Sequence, residues 1–395
     1  MDDRGFVSAA EPGGTTVRRW EIEVVMGQRV VLAMSGGVDS SVAASLLKKS
    51  GYEVIGLFMR TGAHSEDEAR RSRTCCSATD AIDARNVADR LDIPFYVLDF
   101  ERDFSRIMDN FADEYAAGRT PNPCVMCNIW LKFGKLWSYG KQAGAEFVAT
   151  GHYARTVAAA DGTTRVARAA DPGKDQSYVL SGLKSELLPR VLFPVGDYSK
   201  AEIRALAREE GLPVHDKPDS QEICFIPDNN YLGFVRARRP DLDSAGAIVD
   251  EDGTVLGRHD GIEGFTIGQR RGLGLAVGEP RYVVQIEPLS RTVTVGRRAT
   301  LDKTGLIASR FNWQGPLPEG PVPCLAQIRA HHQAVAATVE PLPDGRARVL
   351  FASPVPAVAP GQVVAVYEDD RVLGGGWIAH PLPPPVTSSV HATST

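Results

Sequence analysis

The 395-residue chain contains no apolar run approaching the roughly 20 residues that a helix needs to cross a bilayer, so no membrane-spanning helix is expected. Its first 25 residues lack the basic-then-apolar pattern of a secretory leader and carry acidic residues that a transit peptide avoids. Six cysteines are too sparse for a disulfide framework at this length, which points to a reducing, cytoplasmic setting. No large excess of charge exists either, the formal net charge being −5 at pH 7. A nucleic-acid partner would therefore be held by local patches and not by a global field. Arg236, Arg238 and Arg239, then Arg270 and Arg271, then Arg297 and Arg298 could supply such patches, or form an ordinary solvated face. No repeat of fixed period is present.

What is present is a regular alternation. Apolar runs over Val30–Met34, Glu53–Met59, Phe95–Phe100 and Glu146–Thr150 are separated by segments of helical period. Val38, Val42 and Leu46 recur every fourth residue, and Gly51 stands where a left-handed helix stop belongs. Ser77 and Asp80 have capping-box spacing ahead of Ala81, Ala84, Ala88 and Leu91. Phe104, Ile107, Met108, Phe111 and Tyr115 mark a third helix, and Ile129, Phe133, Leu136, Trp137 and Gly140 a fourth. Ser199 and Glu202 frame another capping box, with Gly211 as the stop.

Strands alternating with helices of this length predict an α/β fold, a doubly wound parallel sheet covered on both faces. After about residue 230 the texture changes to short β-branched runs such as Tyr282–Ile286, Thr292–Val295, Ala347–Phe351 and Gln362–Tyr367, split by Gly, Pro and Asp turns. Two smaller β-rich domains are expected there. The expected division is a catalytic domain over 26–229, a central β-rich domain over 230–299 and a barrel-like domain over 300–382. Residues 1–25 read as a disordered extension ahead of Met26, and the Pro/Ser/Thr-rich tail 383–395 as disordered.

The stretch Ser35-Gly36-Gly37-Val38-Asp39-Ser40-Ser41 follows the first apolar run directly. A buried strand running into a glycine turn and then a helix presents unpaired backbone N–H groups at a positive helix end, a cradle for phosphate. A Walker loop would add a lysine on the outer phosphates, and none follows here. Asp39 occupies the loop instead, and a carboxylate beside phosphates is tolerated mainly when it faces hydrated Mg²⁺. Ligands of such sheets sit beyond the carboxyl ends of the strands, where Ser35, Met59 and Gly151 all fall. The bland reading is a tight strand-to-helix turn with hydroxyl caps. Ser-Gly-Gly-x-Asp-Ser resembles the pyrophosphate loop, or PP-loop, of the ATP pyrophosphatases.

A second informative stretch is Thr120-Pro121-Asn122-Pro123-Cys124-Val125-Met126-Cys127-Asn128. Its prolines stiffen the approach and put Cys124 and Cys127 near a helix N-terminus, where thiolates are stabilised. Such sulfurs are reactive or bind metal; half of a zinc site is the structural alternative. Cys224, in Asp219-Ser220-Gln221-Glu222-Ile223-Cys224-Phe225, reads by itself as a small buried hydrophobe. Cys75 and Cys76 are adjacent and make a poor chelating pair, and Cys324 lies in a remote β region.

The glycine loop, Thr120–Asn128, Ala149-Thr150-Gly151-His152-Tyr153, Lys174-Asp175-Gln176-Ser177-Tyr178, Ile223-Cys224-Phe225-Ile226, Thr266-Ile267-Gly268-Gln269-Arg270-Arg271-Gly272-Leu273 and Leu373-Gly374-Gly375-Gly376-Trp377-Ile378 occur in one order. In that order, over roughly residues 28 to 380, the chain resembles the tRNA-specific 2-thiouridylases. The resemblance implies replacement of O2 of the anticodon wobble uridine by sulfur, after ATP has adenylated that oxygen. It implies ATP contacts at Ala33, Met34, Ser35, Gly36, Gly37, Val38, Asp39, Ser40, Met59 and Gly151, with Mg²⁺ near Asp39. By similarity Cys224 carries a persulfide received from a sulfur-donor protein, a cysteine desulfurase or a sulfur relay. Cys127 matches the partner nucleophile, which frees the sulfur and leaves a disulfide.

Contacts to tRNA and its target base are implied at Asn122, Pro123, Cys124, His152, Lys174, Asp175, Gln176, Arg329 and Gln362. His152 could instead be a satisfied polar residue, and Gln362 a turn residue. Two positions depart from the family's pattern. Cys124 stands where some members have Asp, which removes a carboxylate base and leaves open a second route in which Cys124, Cys127 and Cys224 hold an iron–sulfur cluster. Ala330 follows Arg329 where Tyr or Ser is commoner. Two competitors share parts of the pattern: an amide-forming synthetase with the same ATP loop, and a non-catalytic, zinc-containing RNA-binding scaffold.

Overall fold

The computed structural model describes residues 27–62, 78–219, 223–226, 229–276 and 278–383. The Ser77 cap, the Cys75–Cys76 pair, the extension 1–25 and the tail beyond Pro383 lie outside the described residues. Five parallel strands, β1 (Arg29–Ala33), β2 (Glu53–Arg60), β3 (Phe95–Asp99), β4 (Phe147–Thr150) and β7 (Val191–Leu192), form one sheet in the order β3-β2-β1-β4-β7. Alternate residues of these strands feed two cores, as a strand with both faces covered requires. Val30, Leu32, Val54, Phe58 and Ala149 pack with α1 (Val38–Lys49), α2 (Ala78–Arg90) and α5 (Lys200–Glu209). Val31, Ile55, Leu57 and Val148 pack on the other face with α3 (Glu101–Ala116) and α4.

Helix α4 runs in three pieces: Pro123–Met126, a π-helical Cys127–Leu136, and Trp137–Gln142. Its first residue is Pro123, so the second proline starts the helix where it can lack an N–H without cost. Gly134 accommodates the widened winding, since a Cβ there would lie 2.8 Å from the Ile129 carbonyl oxygen. Contacts of Phe100 with Tyr139, Asp103 with Lys135 and Arg106 with Trp130 descend one helix as they climb the other, so α3 and α4 are antiparallel. The Ser199–Glu202 capping box forms, and Gly51 and Gly211 adopt positive φ at helix ends.

The C-terminal region is a six-stranded barrel in the order β12 (Asp302–Trp313), β15 (Arg346–Pro356), β14 (Val335–Leu342), β13 (Val322–Gln327), β16 (Val363–Glu368) and β17 (Arg371–Leu382), closed by pairing of β12 with β17. Between it and the parallel sheet, β8 (Gly246–Val249), β9 (Val255–His259), β10 (Tyr282–Glu287) and β11 (Thr292–Gly296) make a four-stranded sheet over Val283, Val293 and Val295. The hairpin of β5 (Ala154–Ala158) and β6 (Thr164–Arg168) follows the parallel sheet's β4 in the chain, yet extends the barrel's sheet by pairing Ala167 with Arg371 of β17.

Arg168 at the end of β6 fastens that junction. Its guanidinium lies 3.8 Å from the centroid of the Tyr367 ring, donates to Asp175 at 2.9 Å and to Gln327 Oε1 at 3.1 Å. Asp175 is almost fully enclosed, so removing the cation would strand a buried carboxylate. Arg168→Ala should therefore destabilise the chain by about 3 kcal/mol, measured by urea denaturation, whereas an alanine at the exposed Arg346 should change the midpoint little.

Candidate active site

The glycine loop lies at the carboxyl end of β1 and opens α1. Gly36 has φ of +72°, and a Cβ on it would sit 2.2 Å from the Asp80 carbonyl oxygen, so the turn demands glycine. Gly37 is the N-cap and has no side-chain cap. The hydroxyls of Ser40 and Ser41 both donate to the Gly37 carbonyl, at 3.2 and 2.8 Å, and Ser40 Oγ accepts from the Ser35 N–H at 3.2 Å. Among the described residues no acceptor meets the backbone N–H of Gly36, Gly37, Val38, Asp39 or Ser40. Five unanswered donors at a helix N-terminus are an anion cradle, and the hydroxyl-cap alternative fails because the hydroxyls point away from them. Gly151, at the end of β4, lies against this loop: a Cβ there would come within 2.7 Å of Ser40 N. Met34 and Met59 are buried beside the loop's strand ends, and Gly56 admits the Met34 sulfur.

The cations that the loop lacks arrive from elsewhere in the chain. Lys200, one residue after the Ser199 cap of α5, donates from Nζ to both Asp39 oxygens at 2.7 and 2.9 Å and pairs with Asp219 at 2.8 Å. Tyr153 OH also donates to Asp39, at 2.7 Å. Asp219 is further held by Lys174 at 2.8 Å and Arg204 at 2.9 Å. Burial would raise the Asp219 carboxyl, but the bonds from Lys174 and Lys200 outweigh it and hold it at about 2. Lys217 Nζ reaches the Gly36 carbonyl at 3.0 Å and both Asp80 and Asp83 at 2.6 Å. Burial opposes its charge, yet the two carboxylates prevail and raise its pKa. Sequence reasoning missed Lys200, Tyr153, Lys217 and Asp219. Its one usable signal was the missing Walker lysine, which requires a cation from outside the motif without saying which.

The cysteine-bearing loop is anchored from three sides. The Asn122 side chain caps α4 by accepting from Val125 N–H at 3.3 Å, and it also bonds to Tyr178. Gln362 of the barrel donates to the carbonyls of Thr120 and Pro121 at 3.1 and 3.2 Å, and Thr120 N–H donates to Pro360 O at 2.8 Å. Cys124 is exposed, and Cys127 and Cys224 are partly buried. Both Cys127 and Cys224 border the same apolar cluster; Phe225, next to Cys224, sits 5.7, 5.3 and 5.0 Å from the rings of Phe104, Phe111 and Phe234. Both sulfur-bearing segments thus border the apolar core that α3 helps to build. Burial pushes the Cys324 thiol up to about 12, which leaves it inert.

Several residues expected at the RNA are engaged within the protein. His152 is buried, with Nδ1 2.7 Å from Thr150 Oγ1 and Nε2 3.5 Å from Lys132 Nζ. Burial first, and the Lys132 charge second, depress its pKa well below 6.5. Asp175 accepts from the N–H groups of Ala169 and Ser177 as well as from Arg168. Gln176 accepts from Tyr153 N–H at 2.9 Å, and Lys174 holds Asp219. Arg329 is partly buried, its charge close enough to bear on the Tyr178 hydroxyl. Pro123 is buried at the start of α4.

Among the described residues no three His, Cys, Asp or Glu side chains converge to hold a metal ion. Cys124, Cys127 and Cys224 therefore do not fit an iron–sulfur cluster in this conformation, nor half a zinc site with a nearby complement. Asp39 is the carboxylate within the glycine loop itself, which suits Mg²⁺ carried chiefly by phosphates and water.

A five-stranded parallel sheet with an anion cradle after its first strand defines a nucleotide-binding α/β protein of the PP-loop class. The family model described as tRNA methyl transferase HUP domain matches residues 28–228, that described as tRNA methyl transferase PRC-barrel domain 234–297, and that described as Aminomethyltransferase beta-barrel domain 303–378. A protein of Geotalea uraniireducens named tRNA-specific 2-thiouridylase MnmA is 49% identical over 357 residues, covering 89% of this chain and 95% of its own. One of the same name from Rhodopirellula baltica is 48% identical over 390 residues, covering 89% and 96%. Among solved structures, the U34-tRNA thiolase NcsA from Methanococcus maripaludis with its [4Fe-4S] cluster aligns at TM-score 0.33 and 19% identity, over 55% of this chain and 73% of that one. The chain belongs to the tRNA-specific 2-thiouridylase family.

Two outcomes follow from this geometry. Gly36→Ala, forced against Asp80, should weaken ATP binding at least tenfold by calorimetry while leaving the fold's circular dichroism intact. For His152, the unfolded imidazole takes a proton below about pH 6.5 that the folded one refuses, so stability is lost as pH falls through that range. His152→Gln should flatten the slope of urea midpoint against pH between about 6.5 and 5.

Proposed function

We propose that the chain is an ATP-dependent tRNA sulfurtransferase that converts the anticodon wobble uridine to 2-thiouridine. The observation that carries the reading is the five-donor cradle of the glycine loop; the helix that bears Cys127 passes the carboxyl end of the same sheet, where Phe133 lies beside His152 just after β4. A uridine carbonyl oxygen is a poor leaving group, and the family's solution is to adenylate it. O2 attacks the α-phosphorus, the bond to the bridging oxygen breaks, and pyrophosphate departs with that electron pair while the N3 proton passes to water. The cradle N–H groups would bind the phosphates, with Gly151 and Met59 bordering the nucleoside. Mg²⁺, which offsets phosphate charge when bound, would find Asp39 as its protein carboxylate.

The base must leave the anticodon stack to be reached. Asn122, Pro123 and Cys124 stand at the head of α4, where a flipped base would be received. A persulfide on Cys224 then attacks C2 and AMP leaves. Cys127 thiolate attacks Cys224 Sγ, which releases the 2-thiocarbonyl and forms a Cys127–Cys224 disulfide that an external thiol reduces with two electrons. The persulfide would come from a sulfur-donor protein, a cysteine desulfurase or a relay carrier. The iron–sulfur alternative would need Cys124, Cys127 and Cys224 together on one cluster, whereas this route needs only Cys127 and Cys224 to meet.

The inward engagement of His152, Asp175 and Gln176 supports a role in shaping the wall behind the RNA, and Gln362 of the barrel would position the Asn122 loop through the Thr120 and Pro121 carbonyls. The same reading keeps the division into 26–229, 230–299 and 300–382 and a cytoplasmic setting. Among the described residues no helix is long and apolar enough to cross a membrane. Cys224→Ala and Cys127→Ala should each abolish 2-thiouridine in nucleoside mass spectrometry of a tRNA pool supplied with ATP, cysteine and a cysteine desulfurase as the persulfide donor. Pyrophosphate release should persist in both; thiolation at the normal rate in either variant would refute the assigned roles.

A further inference from the structure

We propose that Lys200 is the catalytic cation that takes up the charge of the departing pyrophosphate, a role that rests on the ATP-dependent reading above. The glycine loop offers backbone donors but no cationic side chain, while cleavage leaves an additional negative charge on the bridging oxygen. Among the described residues four cations stand near the loop or its carboxylates, and their partners separate them. Lys217 is spent on architecture: its three contacts are the Gly36 carbonyl, Asp80 and Asp83, which fix the turn to α2. Arg204 donates to the carbonyls of His215 and Lys217 as well as to Asp219, and so fastens the chain that follows α5. Lys174 meets Asp219, with 41% of its side chain exposed.

Lys200 differs from all three. It is the one that grips a residue of the cradle by its side chain, both oxygens of Asp39, and it is nearly enclosed, with 13% of its side chain exposed. Its backbone is fixed at the start of α5 by the Ser199 box and by donation of its N–H to Asp171 at 3.2 Å. The ammonium lies 5.8 Å from the Tyr153 ring centroid, and Tyr153 holds the same carboxylate. Lys200 also pairs with Asp219 at 2.8 Å, but Asp219 keeps Lys174 and Arg204, so a triphosphate seated on the neighbouring N–H groups, more highly charged than either carboxylate, competes for Lys200 at short range. In the step itself the O2–Pα bond forms, the Pα–O bridge breaks with its pair on pyrophosphate, and Lys200 remains protonated. It lowers the barrier because its charge is already in place where negative charge grows.

The test uses the full chain with tRNA and follows single-turnover pyrophosphate release at saturating ATP. Lys200→Met should slow release by about 10²–10³-fold, with Lys200→Arg recovering part of the loss and both variants keeping the wild-type melting temperature within a few degrees. A second readout isolates the leaving group: ATP analogues with β,γ-methylene and β,γ-difluoromethylene bridges release bisphosphonates of different basicity. The penalty of Lys200→Met should be larger for the more basic methylene leaving group. Equal penalties for both analogues would show that Lys200 merely partners Asp39 and would overturn the proposal, as would release by Lys200→Met within threefold of wild type. Wild-type chain that releases no pyrophosphate with ATP and tRNA would instead sink the ATP-dependent reading itself.

Discussion

Backbone N–H groups that have no partner at the start of α1 are the constraint around which the rest of this structure is arranged. Five donors converge there, and the positive end of the helix adds to their field. Such a site cannot be closed by a cap without losing its use, and it cannot be left to adjust freely without losing its shape. The chain resolves this by holding the loop from outside. Lys217 draws the Gly36 carbonyl toward Asp80 and Asp83, and Lys200 with Tyr153 restrains Asp39. The charges nearly cancel, so the loop is supported without filling the cradle.

The barrel is a second support for the same region. Gln314, fully buried at the end of β12, accepts from Val166 N–H at 3.0 Å and donates to Leu180 O at 3.0 Å. Asn312 donates to Leu183 O at 2.8 Å, and Tyr178 donates to Val363 O at 2.7 Å. These bonds clamp 178–183 to the barrel, and Tyr178 in turn bonds the Asn122 side chain at the head of α4. The loop carrying Cys124 and Cys127 is thus positioned by barrel residues as far as 242 positions away in sequence, which ties the chemistry of the N-terminal domain to the folding of the C-terminal one. Buried, fully satisfied polar contacts of this kind favour one arrangement over near alternatives.

Local pattern carried a large part of the fold. The runs beginning at Val30, Glu53, Phe95 and Glu146 became strands, the Ser199–Glu202 box formed, and the β-branched runs at Tyr282, Thr292, Ala347 and Gln362 became β10, β11, β15 and β16. Each of these depends on neighbours within a few residues, which is what periodicity and capping rules describe. The transfer of the β5–β6 hairpin to the barrel's sheet was not legible, because strand pairing across domains leaves no short-range mark. Nor was the π-helical winding of Cys127–Leu136, which Gly134 permits but does not require. His152 and Asp175, expected at the RNA by resemblance, have enclosed side chains, His152 as its satisfied-polar alternative had it, and that enclosure was not legible because burial of a polar group depends on partners distant in sequence.

By itself the sequence determined the glycine turn, the strand before it and the helix after it, because only those residues satisfy the backbone geometry of that turn. It also determined which cysteines stand near a helix start, through Asn122 and Pro123. Tertiary structure alone decided which lysines serve the cradle, since Lys200 and Lys217 lie about 160 to 180 residues from the loop and nothing local distinguishes them from other surface cations. A motif fixes donors within a few bonds of one another, whereas counter-charge acts through space and is placed by folding.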